Sequence, residues 1–145
     1  GAGYNGKFGD ASVAVGAAYR VESSAGSNNE QGNEWTIAAS AGFSGFSLTG
    51  QYAAYDDGTA VDHNSTSMGV DLGYKTGPWA FTASYAREDV DANNLEQTNY
   101  ILQSSYAFGP GVKLYANAAM GDNDADGTAN DRETTLVEIG TQINF

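Results

Sequence analysis

Hydrophobic and polar residues alternate along most of this chain, with the period of two that places successive side chains on opposite faces of a β-strand. The last segment shows the pattern: Val137, Ile139 and Ile143 share one parity, whereas Glu138 and Gln142 share the other. No segment has the i, i+3, i+4, i+7 spacing of an amphipathic helix. The sequence therefore predicts an all-β fold.

The alternation divides into nine segments, and the connections between them alternate in length. We expect strands at residues 1–8, 11–22, 34–43, 46–56, 67–75, 79–88, 98–108, 112–121 and 133–145. Tight turns rich in Gly and Pro alternate with long polar loops at 23–33, 57–66, 89–97 and 122–132. Short turns at one end and long loops at the other predict an antiparallel up-and-down meander.

Aromatic residues occupy two heights on the apolar parity of these strands. Phe43, Phe46 and Trp79 lie beside tight turns, whereas Trp35 and Tyr85 lie toward the long loops, with aliphatic residues between the two rows. Two aromatic belts around an aliphatic band are typical of a transmembrane β-barrel. The rival interpretation is a soluble β-protein that buries the apolar parity as its core.

Composition and charge exclude several classes of binding partner and of chemistry. The chain is short enough to be one domain, residues 1–145, and it has no run of about 18 apolar residues that a membrane helix would need. A net charge of -12, with six Lys and Arg residues in total, argues against a nucleic-acid partner. Because Cys is absent, disulfides and thiol chemistry are excluded.

Three stretches carry a resemblance to a known family. They are the terminal VEIGTQINF, the aromatic hairpin at residues 43–48 and the segment GPGVKLYANAAMGDND. The chain thereby resembles the Gram-negative outer-membrane porins, most of all the general porins of alphaproteobacteria. The resemblance implies a sixteen-stranded barrel, a homotrimer, and a channel for passive diffusion of ions and small hydrophilic solutes. It also implies contact with outer-membrane lipid and lipopolysaccharide, and an assembly signal at Phe145 for the barrel-assembly machinery.

The number of strands leaves two alternatives open. Eight or nine strands are too few for a sixteen-stranded barrel, so we expect a C-terminal half that another segment or chain completes. The alternative is a complete eight-stranded barrel over residues 11–145, with residues 1–10 as a tail, that serves as a non-conducting anchor or adhesion scaffold. Small residues dominate the inward parity, which favours the wider, water-filled lumen.

Polar residues on the inward parity are the candidate pore-lining groups. A basic residue at mid-membrane on the lipid side would cost roughly 2 to 4 kcal/mol, and an acidic one somewhat less, so charged mid-strand residues should face the lumen. Acidic lumen groups bias a pore toward cations, although polar residues that simply wet a channel wall would look the same. The predicted pore-lining residues are Gln51, Asp71, Lys75, Gln103, Lys113, Asn117 and Glu138.

One loop matches a calcium-binding pattern. The run from Asp122 satisfies D-x-[DN]-x-[DN]-G-x5-E, and the ligands it predicts are Asp122, Asp124, Asp126, the Thr128 carbonyl and Glu133. The flanking helices of that motif are missing, so a solvated acidic loop is an equal alternative. We expect no required cofactor and no enzymatic activity, because the only histidine, His63, lacks a nucleophile context beyond chance.

Overall fold

The computed structural model describes residues 1–23, 31–58, 64–91, 94–125 and 132–144. These residues form one antiparallel sheet in which every strand pairs with its neighbours in the chain, in the order β1 to β9. The strands are β1 (Ala2–Phe8), β2 (Ala11–Ser23), β3 (Gln31–Phe43), β4 (Phe46–Asp56), β5 (Ser65–Thr76), β6 (Trp79–Val90), β7 (Leu95–Gly109), β8 (Val112–Ala125) and β9 (Arg132–Ile143).

Tight turns join the strands at one end of the sheet. In the turn between β3 and β4, Ser44 and Gly45 have φ values of 49° and 86°, the left-handed conformation of a two-residue hairpin. A Cβ atom on Gly45 would collide with the carbonyl oxygen of Lys75, whose amide donates a hydrogen bond to the Gly45 carbonyl at 2.8 Å. The sequence therefore needs glycine at this position for both the turn and the neighbouring strand.

The register gives the sheet an apolar face and a polar face. Residues that are directly opposite each other across the ladder share a face. One row on the apolar face reads Leu48, Leu72, Ala83, Leu102, Ala118 and Val137. A neighbouring row on the polar face reads Ser40, Thr49, Asp71 and Ser84.

The apolar face has no cover within the chain. Among the described residues, no hydrophobic side chain is buried, and the exposed fractions of Val137 and Ile139 reach 71% and 75%. A soluble protein of this size would bury such residues in a core. The surroundings of the sheet must therefore supply the apolar environment.

Aromatic rings contact one another in two groups, as the two predicted belts require. At the tight-turn end, Phe46 packs on Tyr74 with ring centroids 4.3 Å apart, and Trp79 packs on Tyr106 at 4.7 Å. At the long-loop end, the pairs Trp35–Tyr52 and Tyr85–Tyr100 each have a centroid distance of 5.2 Å.

The predicted all-β, up-and-down architecture is confirmed, with one correction. The strands extend further toward the long loops than predicted: β7 begins at Leu95 and β8 continues to Ala125, because backbone pairing persists after the apolar-polar alternation has ended. Residues 2–8 form the predicted first strand, paired with β2, and therefore not the tail of the eight-stranded alternative. In the described residues β1 and β9 do not pair, so the sheet is open. No helix in this part of the chain could span a membrane.

Candidate functional site

The polar face carries all seven residues predicted to line a pore. Parity and register place Gln51, Asp71 and Lys75 on this face in β4 and β5, and the other four on the same face in β7, β8 and β9. Gln103, Asn117 and Glu138 lie in a single cross-strand row. Three of the predicted residues, one from each of three consecutive strands, are therefore direct cross-strand neighbours.

Glu138 is the centre of a hydrogen-bonded group on this face. Asn117 Nδ2 donates to Glu138 Oε2 at 3.1 Å, and the Tyr115 hydroxyl donates to Glu138 Oε1 at 3.2 Å. Sequence reasoning missed Tyr115, which was not among the predicted pore-lining residues. Its position between Lys113 and Asn117 has the parity of the polar face, and that signal was available.

Tyr115 lies across a glycine of the neighbouring strand. Gly140 is directly opposite Tyr115, and a Cβ atom built there would collide with the tyrosine ring and its hydroxyl. The missing side chain lets the ring lie over the β9 backbone, and its hydroxyl then reaches Glu138, two residues before the glycine. A ring laid over a strand glycine also compensates for the weak packing of glycine in a sheet.

Asp71 is the other acidic residue near mid-strand on the polar face. It is exposed, and its cross-strand neighbours are Thr49 and Ser84, both small and polar. Lys75 lies nearer the tight-turn end, directly opposite Ala80. Lys113 lies at the same end, opposite Gln142. Asp71 therefore lies nearer mid-strand than these two lysines.

An ion pair marks the long-loop end of the polar face. Arg20 Nη2 lies 2.9 Å from Glu34 Oε2, directly across the ladder, and 3.9 Å from Glu22. The Arg20 side chain is 63% exposed and that of Glu34 is 31% exposed. Because Arg20 and Glu34 are in contact, their two fields largely cancel a few ångströms away, and Glu22 leaves the group with one net negative charge.

A second charged group lies on the apolar side, beyond the long-loop row of aromatic rings. Arg87 contacts both Asp89 and Glu96 at 2.8 Å. Asp124 is directly opposite Glu96 in the same row. Arg87 therefore bridges two carboxylates that oppose each other across the ladder and would otherwise repel.

The predicted calcium ligands are only partly described. Asp122 and Glu133 are directly opposite each other, on the same side of the sheet as Arg87, and Asp124 follows on an extended strand. Asp126 and Thr128 lie outside the described residues, as do His63 and Phe145. Within the described ranges, no group of three or more His, Cys, Asp or Glu residues is placed to hold a metal ion. The predicted loop is corrected, since its first four residues belong to β8.

A groove of about 540 Å³ lies on the apolar face. Its lining includes small residues such as Ala83 and Ala116, together with Phe46, Leu72 and Ile139. Its lining offers few polar groups, so it is a depression in the apolar surface and not a site for a hydrophilic solute.

Comparison with known proteins links this architecture to one family. The model of the Gram-negative porin family matches residues 1–126. No curated protein sequence matches the chain. Two similar solved structures are an anion-selective porin from Comamonas acidovorans and a porin refined at 1.8 Å resolution.

Both structures share the fold at low sequence identity. The Comamonas porin is 18% identical with a TM-score of 0.71, over 99% of this chain and 48% of that one. The second porin is 20% identical with a TM-score of 0.69, over 99% of this chain and 50% of that one. The chain therefore spans about half the length of the structures that it matches. Because the family model covers most of its residues, the chain belongs to the Gram-negative porin family, and its location is the bacterial outer membrane.

Proposed function

We propose that the chain forms part of the wall of a water-filled channel for passive diffusion of ions and small hydrophilic solutes. The observation that carries this proposal is the pairing of an uncovered apolar face with a polar face on a single sheet layer. Lipid satisfies the first face and water the second, which is the arrangement of a porin wall. In this arrangement the polar face lines the lumen.

The open sheet requires completion. Unpaired backbone groups at the edges of β1 and β9 are costly in lipid, because hydrocarbon offers them no hydrogen-bond partner. We propose that another segment or chain closes a sixteen-stranded barrel, and that such barrels associate as a homotrimer. Lipopolysaccharide around the apolar face and recognition of Phe145 by the barrel-assembly machinery belong to the same proposal.

Cation preference is the finer part of the proposal. The described strands carry both signs on the polar face: acidic Glu22, Glu34, Asp71, Glu88 and Glu138, and basic Lys7, Arg20, Lys75, Lys113 and Arg132. Asp71 and Glu138 lie near mid-strand, where a lumen charge acts on every passing ion. The chain as a whole, these residues included, has a net charge of -12, which attracts cations. A porin named anion-selective shares this fold, so side chains and not architecture must set the sign.

Planar-bilayer recording of the native channel, extracted from outer membranes, tests the proposal. We expect stepwise conductance increments, and in a KCl gradient a reversal potential of the sign for potassium permeation. Extracts from cells that lack the gene provide the control. Absence of increments would favour the non-conducting anchor, whereas increments with a chloride-type reversal potential would refute the cation preference alone.

The calcium site stays a prediction beside its alternative, the solvated acidic loop. Hydrogen exchange of the intact protein with calcium or with a chelator distinguishes the two. Slower exchange around residues 122–133 in calcium indicates a site, and equal exchange indicates a solvated loop. We propose no catalytic activity for the channel wall.

A further inference from the structure

We infer that Tyr115 and Asn117 hold the Glu138 carboxylate against the channel wall as a fixed negative charge that selects cations. This inference rests on the proposed channel function. Glu138 is the residue that acts on the ion, and Tyr115 and Asn117 are positioning residues.

Each oxygen of the carboxylate has its own donor. The Tyr115 hydroxyl reaches Oε1 at 3.2 Å and the Asn117 amide reaches Oε2 at 3.1 Å. Hydrogen bonds to an ionised acceptor are roughly twice as strong as neutral ones. A carboxylate has about four lone-pair sites, so the remaining ones stay available to a cation or its hydration water.

Both donors are neutral, so the group keeps its full charge. An arginine in the same place would cancel the field of the carboxylate, as Arg20 does for Glu34 at 2.9 Å. Hydroxyl and amide groups restrict the carboxylate without adding an opposite charge. An ion pair would both position the carboxylate and neutralise its charge. The neutral donors at Glu138 position the carboxylate and leave its charge in place.

Gly140 makes the arrangement possible. The Tyr115 ring occupies the space where a Cβ atom of residue 140 would lie, and the hydroxyl consequently points along β9 toward Glu138. The backbone ladder between β8 and β9 pairs Tyr115 with Gly140 and Asn117 with Glu138. Because the two donors belong to one strand and the acceptor to the next, the sheet itself sets their spacing.

A fixed carboxylate acts on ions at one place, whereas a free glutamate side chain spreads its charge over several rotamers. Ordering such a side chain costs rotamer freedom, and here the two hydrogen bonds offset that cost before any ion arrives. A passing cation thus meets a preorganised ligand.

The test is the cation-to-anion permeability ratio of the native channel, obtained from reversal potentials in KCl gradients at low ionic strength. We expect Glu138→Gln to lower the ratio about two- to threefold, the order of effect of removing one wall charge in screened water. Tyr115→Phe removes only the hydroxyl, and we expect a smaller decrease with unchanged single-channel conductance in high salt. Gly140→Ala, which displaces the ring, should reproduce the Tyr115→Phe result.

Tyr55 supplies the matched control. It is a second tyrosine on the polar face, and its hydroxyl lies 2.9 Å from where a Cβ atom of Gly32 would stand. Its direct cross-strand neighbour, Glu34, is paired with Arg20. We therefore expect Tyr55→Phe to leave the permeability ratio unchanged.

The possible results distinguish a failure of this inference from a failure of the proposed channel function. An unchanged ratio in Glu138→Gln would overturn the role of Glu138. A normal ratio in Tyr115→Phe beside a reduced one in Glu138→Gln would overturn positioning by Tyr115. A Tyr115→Phe channel with altered conductance in high salt would indicate a merely structural role, and would overturn the inference too. No conductance in the unmodified protein would refute the channel proposal itself.

Discussion

Two glutamates on the same face of the sheet, Glu34 and Glu138, have opposite electrostatic surroundings. Glu34 lies 2.9 Å from Arg20 and is neutralised by it. Glu138 accepts hydrogen bonds from neutral groups of Tyr115 and Asn117. If the polar face lines a channel, as we propose, the comparison suggests that a charge beside an opposite charge acts less on passing ions than a charge with neutral neighbours.

The positions of the two residues sharpen the contrast. Glu34 lies at the long-loop end, next to a tyrosine that covers Gly32, and Glu138 lies nearer mid-strand, next to a tyrosine that covers Gly140. Both sites thus have a tyrosine over a glycine, but Tyr55 is directly opposite Glu34, whereas Asn117 is directly opposite Glu138, and Glu34 has a neighbouring cation. Adding a cation beside Glu138, or removing the cation beside Glu34, should therefore give each site the effect on ion permeability that we expect of the other.

The largest effect is expected from reversing the charge at the mid-strand site. Glu138→Lys changes the wall by two charges, so the cation-to-anion permeability ratio should fall about four- to ninefold. The matched control reverses both members of the other site: Arg20→Glu with Glu34→Arg keeps the ion pair and the net charge. Reversal potentials should be unchanged in that double variant, and a comparable change in both proteins would abolish the contrast.

A smaller effect is expected from giving Glu138 the partner that Glu34 has. Asn117→Lys places an ammonium group directly opposite Glu138, so the pair should become neutral as seen from the lumen. The permeability ratio should then fall about two- to threefold, as when the carboxylate is removed. Asn117→Leu is the control, because it removes the amide without adding charge. An equal decrease in both variants would show that the hydrogen bond, and not the charge, carries the selectivity.

A still smaller effect is expected from the opposite exchange at the long-loop end. Arg20→Met leaves Glu34 and Glu22 without their nearest cation, so the permeability ratio should rise, by less than about twofold because both groups are partly exposed and screened. The increase should vanish in high salt. An unchanged or decreased ratio would show that Glu22 and Glu34 do not attract passing cations even after their partner is removed.

The smallest effect on selectivity is expected from Arg87, the cation on the other side of the sheet. Arg87→Met should leave the permeability ratio unchanged, because this residue faces away from the lumen. It should lower the resistance of the assembled protein to heat in detergent, since Asp89 and Glu96 then oppose each other without a bridge. A shift in reversal potential as large as that of Glu138→Gln would show that the face assignment is wrong.

Much of the fold could be predicted from the sequence, because parity and turn residues are local signals. All nine strands and the tight turns were identified, and the strand ends beside those turns are correct to within a residue or two, for instance at Phe43 and Phe46. Most strand ends beside the long loops lie further from the tight turns than predicted, as at Gln31 and Ala125, whereas β4 ends at Asp56 as predicted. Beyond the aromatic row both faces are polar, as at Glu96 and Gln97, so the alternation fades while the backbone ladder continues.

The site was predictable as a face but not as a set of contacts. Parity placed Asn117 and Glu138 on the polar side, yet nothing local specifies that they are directly opposite each other. That register depends on how many residues of the predicted loop 122–132 continue the flanking strands. The composition of the loop does not specify this number. The part played by Gly140 depends on the same register, because a glycine matters here only when a tyrosine lies across it.

The uncovered apolar face should also tolerate more sequence change than a close-packed interior. Residues in a close-packed interior are tied to their neighbours by volume, so each substitution calls for another. Val137 and Ile139 are instead 71% and 75% exposed. Where lipid covers them, as we propose, another aliphatic side chain of similar length should serve at either position, so chemical class and not shape would limit the choice of residue there.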